Sequence, residues 1–262
     1  MHLLDLTLDS PAANLALDEA LLDQAEAGDM RETLRLWESN APLVVVGRSS
    51  KPEAEVRLDF CHERNIPVLR RSSGGAAIVT GPGCLMYALV LSLELRPKLR
   101  SLDETHRFVL ETMAASLNQL TPGIHRQGTS DLAFSTNNLP PPLMGEGPGV
   151  RDWPLAHAPP KKFSGNSLRV RRRYILYHGT LLYDFSLDLA GHCLAIAPRQ
   201  PAYRAGRDHN DFIANLPIPV QALRKVLIAA WQASALRTDW PQSRVQQLLT
   251  DKYQTSEWSI EV

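Results

Sequence analysis

The sequence predicts an α+β protein in which helices flank a mixed or antiparallel central sheet. Strand-like and helix-like segments interleave, but without the strict strand–helix–strand alternation that produces a parallel α/β sheet. Residues 163–184 indicate two antiparallel strands joined by a turn near residues 171–173. The chain has 262 residues, which is enough to bury a sizeable core. Length alone allows one large domain or two small ones.

The first half of the chain alternates short strands with helices. Ser10-Pro11 is a helix start signal, and the segment 14–22 that follows has helical spacing. Helical spacing returns at 53–64 and at 102–120. Strand-like segments, separated by turns, fall at 34–37, 43–47, 66–69, 76–79 and 85–93.

The second half contains a biased segment, then the strand pair and several short helices. Residues 135–160 include Pro140-Pro-Pro142 and Gly145-Glu-Gly-Pro-Gly149, have no hydrophobic period and offer little to bury. They predict a flexible surface insertion. Beyond the strand pair, we expect short helices at 187–197, 220–236 and 243–253.

Composition and charge argue against several classes of protein. Lys+Arg and Asp+Glu are equal at 28 each, so the whole chain has no electrostatic bias towards nucleic acid or an anionic membrane. No apolar run approaches the roughly 20 residues of a membrane-spanning helix. Acids interrupt the N-terminus, where a signal peptide needs an apolar core. Three distant cysteines without a Cys-x-x-Cys pair argue against a disulfide framework or a structural zinc. We expect a cytoplasmic protein that binds neither nucleic acid nor a membrane.

A pair of arginines leads into a small-residue turn, Arg70-Arg-Ser-Ser-Gly-Gly75. Glycines free backbone N–H groups to face a ligand, and paired arginines can bind a phosphate or a carboxylate through two parallel hydrogen bonds. The alternative interpretation is a tight corner with solvated arginines. The sequence contains neither a Walker loop nor a dinucleotide-binding glycine motif.

A single lysine precedes a second small-residue turn in Lys162-Phe-Ser-Gly165. Glycine lets the backbone approach a ligand closely, so the lysine ammonium could face an acyl or phosphoryl oxygen. That arrangement suits chemistry on a carboxylate that phosphate has made reactive. Equally, Lys162 could be a solvated residue at the end of the preceding loop.

Five further residues could take part in chemistry, and most also have a purely structural interpretation. Asp131 could accept a hydrogen bond from a ribose or help to hold a metal, or it could be a turn residue bonded to its own backbone. Arg169 lies near the Ser-Gly turn and could face a ligand. His178 lies among apolar residues and could be a satisfied core residue instead. Cys84 and Cys193 are candidate nucleophiles or small buried hydrophobes.

Taken together and in this order, these motifs resemble the lipoate–protein ligase A family, which shares a superfamily with biotin–protein ligases and octanoyl transferases. The matching segments are Leu34-Arg-Leu-Trp37, Val45-Val-Gly-Arg48, Arg70-Arg-Ser-Ser-Gly-Gly75, Ser130-Asp-Leu132, Lys162-Phe-Ser-Gly-Asn166 and His178-Gly-Thr-Leu-Leu182. The resemblance implies a single catalytic domain over residues 1–262 with the biotin/lipoate ligase fold, interrupted by the insertion at 135–160. It also leads us to expect no C-terminal accessory domain of the kind that many lipoate ligases carry.

In that family the Arg-Arg-x-Ser-Gly-Gly-Gly turn wraps the acyl-adenylate, and the lysine of Lys-x-Ser-Gly contacts its carbonyl and phosphate oxygens. The resemblance therefore implies that Lys162 is the central catalytic residue. It places the acyl-phosphate site at Arg71, Ser73, Gly74, Gly75 and Ala76. At the border of the nucleotide or the acyl group it places Asp131, Arg169 and His178.

The sequence departs from the ligase pattern where the turn ends. Ala76 stands where ligases have a third glycine, and Val79-Thr-Gly81 stands where they have an aromatic residue, His and Asp. Gly81-Pro-Gly83 is instead similar to the His-Gly-Pro-Gly of octanoyl transferases. Those transferases also use a cysteine, but Cys193 is not in their Asn-Pro-Cys-Gly context, and residues 130–160 contain no cysteine.

The resemblance implies an enzyme that activates lipoate or octanoate with ATP and Mg²⁺ as an acyl-adenylate. The acyl group would pass to a lysine of a lipoyl carrier domain, in a 2-oxoacid dehydrogenase complex or a glycine-cleavage H-type protein. A separate accessory subunit could take part, and the segment 135–160 could be a lid or an inert excursion. One alternative is an octanoyl or lipoyl transferase that uses acyl-carrier protein and a cysteine thioester. Another is a non-catalytic acyl- or nucleotide-binding relative.

Overall fold

A computed structural model describes residues 1–135, 159–196, 200–255, 258 and 260. The insertion predicted at 135–160 lies outside these residues except at its two ends. Within the described part of the chain, no helix is long and apolar enough to cross a membrane. The predicted α+β class is confirmed, since helices pack on both faces of a large mixed sheet.

The secondary structure follows the chain in short elements. The strands of the described residues are β1 (His2–Asp5), β2 (Thr33–Trp37), β3 (Leu43–Val46), β4 (Val68–Arg70), β5 (Ile78–Thr80), β6 (Cys84–Ser92), β7 (Ile124–Gln127), β8 (Asp131–Phe134), β9 (Lys161–Val170), β10 (Tyr174–Leu182) and β11 (Ala235–Leu236). The α-helices are α1 (Pro11–Ala27), α2 (Pro52–Glu55), α3 (Leu58–Glu63), α4 (Leu102–Leu117), α5 (Leu187–Cys193), α6 (His209–Phe212), α7 (Val220–Ala230) and α8 (Gln242–Leu248).

Two sheets build the molecule. The large sheet has eight strands in the order β11-β1-β2-β6-β10-β9-β8-β7, and the small sheet has three in the order β4-β3-β5. Strand β1 runs parallel to β2 and β11, and β3 runs parallel to β4. The other pairs are antiparallel, including the predicted hairpin of β9 and β10. Both sheets are therefore mixed.

The central strand β6 is buried along its whole length because it faces a core on each side. Its side chains alternate between the two faces, as strand geometry requires. Met86 and Ala88 pack in the core that contains α1 and the small sheet. Tyr87 and Leu89 pack in the core that contains α4 and α7. This double burial explains why β6 reads as a continuous apolar run.

Helix α1 is the predicted first helix, and it lies inside one core. The Ser10 hydroxyl accepts a hydrogen bond from Ala13 N at 3.4 Å, which caps the helix start, and Pro11 occupies its first turn. The helix also buries three polar side chains, Asn14, Asp18 and Glu19. Buried polar groups need partners, and those of α1 include Arg35 of β2, Arg169 of β9 and His178 of β10.

Several predicted boundaries were wrong for identifiable reasons. The helix predicted over 53–64 is two short helices, because Val56 between them is extended and forms a β-bridge with Leu194. The helix predicted over 220–236 ends at Ala230, and Gln232 has a φ of 48° that breaks the helical path to the edge strand β11. Strands β1, β7 and β8 were not predicted at all.

Candidate active site

A cleft with two lobes lies beside the Lys162 strand. The histidine lobe, lined by residues that include Leu15, Val45, Met86 and His178, has a volume of about 240 Å³. The arginine lobe, lined by residues that include Phe185, Leu194, Arg204 and Phe212, has a volume of about 140 Å³. The two lobes share Ala76, Ala77, Ile78, Lys162, Gly165 and Pro201. The predicted catalytic lysine therefore lies where they meet.

Lys162 lies near the start of β9, and its ammonium is held by a carboxylate. Its Nζ lies 2.8 Å from Asp131 Oδ1, and the other carboxylate oxygen, Oδ2, accepts a hydrogen bond from the Tyr203 hydroxyl at 2.8 Å. Asp131 is the first residue of β8 and pairs with Gly165 of β9. The lysine side chain keeps 25% exposure towards the cleft. Asp131, for which the sequence left a ligand-binding and a turn interpretation open, is thus a strand residue that holds the lysine ammonium.

Gly165 explains the spacing of the Lys-x-Ser-Gly motif. A Cβ at this position would lie 2.9 Å from Lys162 Nζ and 3.0 Å from its Cε. Real Cβ atoms essentially never come that close to a neighbour. The glycine therefore leaves the space in which the lysine side chain folds back along its own strand.

The twin-arginine turn is held from within by Arg71. This guanidinium is buried and donates hydrogen bonds to the carbonyls of Val45 at 3.0 Å, Gly74 at 2.6 Å and Ala76 at 2.9 Å. Burial lowers the pKa of Arg71 to about 10. That Arg71 also binds a phosphate or a carboxylate stays a prediction. Arg71 lines the histidine lobe, but its donors stabilise the loop.

Gly74, Gly75 and Ala76 form the exposed part of this turn. Gly75 has a φ of 88°, in the region that favours glycine, and it lines the histidine lobe. Ala76 lines both lobes. The next backbone amide, Ala77 N, donates to Glu55 Oε2 at 2.6 Å, which brings a carboxylate to the arginine lobe.

His178 links the turn to helix α1. Its Nε2 lies 2.5 Å from Ser73 Oγ, and its Nδ1 lies 3.2 Å from Asp18 Oδ2. Asp18 Oδ1 in turn accepts from Arg35 Nη1 at 2.6 Å. Because the carboxylate can only accept, Nδ1 donates to Asp18, and Nε2 shares a hydrogen bond with the Ser73 hydroxyl. His178 is therefore a satisfied buried residue that also lines the histidine lobe.

Arg169 lies behind the turn rather than in the cleft. Its Nη1 pairs with Glu19 Oε1 at 2.8 Å and contacts Ser72 O at 3.4 Å, and Arg169 lines neither lobe. Glu19 also accepts from Lys252 Nζ at 2.7 Å and from the Tyr253 hydroxyl at 2.8 Å. Arg169 thus ties β9 to α1 and to the C-terminal segment, and its predicted position at the border of a ligand stays a prediction.

The two candidate nucleophilic cysteines are buried and do not line the cleft. Cys84 and Cys193 are fully buried and line neither lobe. Burial raises the pKa of each thiol to about 12, so the nucleophilic thiolate is disfavoured at neutral pH. Cys193 lies beside Cys61, the third cysteine.

Sequence reasoning missed the residues that close the arginine lobe. Arg204, His209 and Phe212 follow the hairpin in a segment whose only sequence signal was its density of charged and aromatic residues. Burial, together with the positive charge of Arg204, lowers the pKa of His209 to about 4, so the imidazole is neutral at neutral pH. Among the residues that the structure describes, no group of three His, Cys, Asp or Glu side chains could hold a metal ion.

Comparison with known proteins identifies the family. The model of the lipoyl protein ligase A/B catalytic domain matches residues 10–232. The chain is 21% identical to octanoyltransferase LipM of Halalkalibacterium halodurans over 95% of each protein. It is 22% identical to lipoate–protein ligase 1 of Staphylococcus aureus over 96% of this chain and 70% of that protein.

Solved structures share the fold. A bipartite lipoate protein ligase of Thermoplasma acidophilum, studied with its E2 lipoyl domain, superimposes with a TM-score of 0.73 and 22% identity, covering 98% of this chain and 94% of that one. A lipoate-protein ligase A bound with ATP gives a TM-score of 0.70 and 23% identity, covering 98% and 97%. Because the family model matches most of the chain, this protein belongs to the lipoyl protein ligase A/B catalytic domain family.

Proposed function

We propose that this protein is a lipoate–protein ligase. It activates lipoate or octanoate with ATP as an acyl-adenylate and transfers the acyl group to a lysine of a lipoyl carrier domain. The observation that carries the proposal is the position of Lys162, whose ammonium lies at the junction of two lobes. One amine can then face the acyl carbonyl and the phosphate of a ligand that occupies both lobes.

The lobes differ in the ligand part that each would hold. In the histidine lobe, Leu15, Val45 and Met86 offer apolar surface to an eight-carbon acyl chain. In the arginine lobe, Phe185 and Leu194 offer apolar surface to a nucleotide base, and the cations nearby suit its phosphate. The shared residues around Lys162 would then surround the mixed anhydride.

In the first step a carboxylate oxygen of the acid attacks the α-phosphorus of ATP, and pyrophosphate leaves with the bridging oxygen. Negative charge grows on the phosphate oxygens as this bond forms. An ammonium about 4 Å from such an oxygen contributes roughly 4 kcal/mol at an effective dielectric near 20. Asp131 holds the Lys162 ammonium in place beforehand, so little reorganisation is needed during the reaction.

In the second step the neutral amine of the target lysine attacks the acyl carbonyl. The bond from the carbonyl carbon to the AMP oxygen breaks, and AMP leaves with the electron pair. The amine proton is released as the amide forms. Water must be kept from the anhydride throughout, and the half-enclosed position of Lys162 favours this.

Mg²⁺ would enter this reaction with the triphosphate. The carboxylates nearest the lobes are Asp131, whose two oxygens contact Lys162 and Tyr203, and Glu55, which accepts from Ala77 N. We propose that the cation is held chiefly by phosphate oxygens, with at most one of these side chains beside it.

A lipoyl carrier domain is the proposed partner. The Thermoplasma acidophilum relative in fold was studied with its E2 lipoyl domain and is described as bipartite. By that analogy, the carrier could belong to a 2-oxoacid dehydrogenase complex or a glycine-cleavage H-type protein, and a separate accessory subunit could assist adenylation. We propose a cytoplasmic location, where such carriers and ATP are available.

The second candidate is an octanoyl transferase that takes its acyl group from acyl-carrier protein. The match to octanoyltransferase LipM over 95% of each protein, and the Gly81-Pro-Gly83 segment, favour it. The buried positions of Cys84 and Cys193, outside both lobes, argue against a thioester on either residue.

One experiment separates the candidates. Purified protein and an apo lipoyl domain are incubated with lipoate, ATP and Mg²⁺, or with octanoyl-acyl-carrier protein and no ATP, and the lipoyl domain is weighed by mass spectrometry. Modification that needs ATP supports the ligase. Modification from acyl-carrier protein alone, abolished in Cys84→Ser or Cys193→Ser, overturns it in favour of the transferase. Ligand binding without modification in either mixture supports a non-catalytic relative.

A further inference from the structure

Arg204 is a buried cation whose hydrogen bonds with the described residues are incomplete. It ends a short 3₁₀ turn, Ala202–Arg204, is 6% exposed and lines the arginine lobe. Its Nε donates to Arg207 O at 2.9 Å. Within the described part of the chain, its Nη2 is shielded from solvent and has no hydrogen-bond partner.

The neighbouring arginine shows that the missing bond is not a general property of this segment. Arg207 and Arg204 both stack on the Phe212 ring, at 5.3 and 4.8 Å from its centroid. Arg207 nevertheless donates to the carbonyls of Pro160 and Tyr203. Stacking on an aromatic ring therefore explains the position of both guanidiniums, but it does not explain why one nitrogen of Arg204 lacks an acceptor.

An unsatisfied donor on a buried guanidinium is unfavourable, because the group has lost water without gaining a partner. Of the charges around it, Asp208 offsets part of this cost, whereas Arg207 adds positive charge. Lys162 lies over the same ring at 6.0 Å, and its carboxylate partner Asp131 is engaged by both its oxygens. Three cations, those of Lys162, Arg204 and Arg207, lie around the Phe212 ring.

We propose that Arg204 is the phosphate-binding residue of the arginine lobe, with its Nη2 donating to a phosphate oxygen of the bound substrate. The bound phosphate would lie on the same side of the cleft as Lys162. Lys162 Nζ and Arg204 Nη2 would then contact different oxygens of this one phosphate group. This inference rests on the proposed function in one respect, which is that the substrate carries a phosphate. The phosphate could be that of an adenylate or that of the phosphopantetheine arm of a carrier protein.

The test compares ligands that differ by one phosphate. Dissociation constants are measured by calorimetry for AMP against adenosine, and for 4′-phosphopantetheine against pantetheine. Wild-type protein should bind one phosphorylated ligand more tightly than its parent by about tenfold or more, as a charge-assisted hydrogen bond provides. Arg204→Gln should remove about tenfold of that preference and leave the affinity for the parent compound unchanged. Arg204→Lys, which keeps the charge, should restore part of it.

Arg172→Gln is the matched control, because Arg172 is exposed and lines neither lobe. It should keep the full preference, and thermal unfolding should show that each variant is folded. A loss confined to the AMP pair supports both the site and the ligase. A loss confined to the phosphopantetheine pair supports the site and contradicts the ligase, whose own test is ATP-dependent modification of the lipoyl domain. The proposal is overturned if wild type shows no phosphate preference, or if Arg204→Gln retains that preference in full.

Discussion

The ammonium of Lys162 lies 2.8 Å from the carboxylate of Asp131, and the two residues belong to neighbouring antiparallel strands, β9 and β8. The pair is anchored further by the Tyr203 hydroxyl, which donates to the second carboxylate oxygen. A flexible lysine is thereby held at one point of the cleft before any ligand binds. Preorganisation of this kind lowers the reorganisation needed as charge develops in a reaction.

Removing the amine should abolish most of the activity and leave the fold intact. We expect Lys162→Ala to lower turnover by about a hundredfold or more, since it removes the charge aimed at the growing phosphate charge. Acylation of an apo lipoyl domain, followed by mass spectrometry over time, gives the rate. The control is Lys161→Ala, the adjacent lysine, which lines neither lobe. Near-normal turnover in Lys162→Ala would remove Lys162 from the mechanism.

Adding one methyl group at Gly165 should displace the lysine. The new Cβ would lie 2.9 Å from Lys162 Nζ, which must move because it is the end of a flexible side chain. We expect Gly165→Ala to lower turnover by about tenfold, with little change in melting temperature. Gly191→Ala is the matched control, because the nearest atom to its new Cβ is 3.7 Å away. Equal activities of the two variants would contradict this account of the motif.

Neutralising Asp18 should lower the free energy of unfolding substantially, and it should change the reaction at Lys162 little. Asp18 pairs with the fully buried Arg35 and accepts from His178. Asp18→Asn leaves the Arg35 charge without its partner, and we expect a loss of about 3 kcal/mol or more in the free energy of unfolding. Urea unfolding measures it. The exposed Asp9→Asn change should lower it by less than about 0.5 kcal/mol. A similarly small loss in Asp18→Asn would show that the buried hydrogen bonds of Asp18 with Arg35 and His178 contribute little to stability.

Acid should destabilise the fold partly through His209. Burial and Arg204 lower its folded pKa from 6.5 to about 4, so between these values the unfolded chain binds more protons than the folded chain. The free energy of unfolding should therefore fall as the pH falls from 6.5 to about 4. We expect His209→Gln to lose less stability than wild type over this window in urea titrations. Parallel curves for the two proteins would show that His209 is not held neutral.

Local sequence patterns predicted those helices and strands whose start signals or apolar runs match their burial in the structure. Helix α1 was predicted because Ser10-Pro11 marks its start, and β6 and β10 because their apolar runs are buried on both faces. Strands β7 and β8 were missed, because four residues of mixed polarity show no period until a neighbouring strand pairs with them. The boundaries of α7 and β11 depended on one positive φ, which no local pattern marks.

The sequence by itself determined the family motifs and the residue types available for chemistry: one lysine before a Ser-Gly turn, and a twin-arginine turn far from it along the chain. Only the tertiary structure decided which of the cations remain available to a ligand. The donors of Arg71 bind carbonyls of its own loop and of β3, and Arg169 pairs with Glu19, 150 residues away. Among the residues that the structure describes, Arg204 Nη2 has no hydrogen-bond partner, and Arg204 lines the cleft. The physical reason is that the partners of a charged group come from segments that only folding brings together, so its availability is a property of the packed chain.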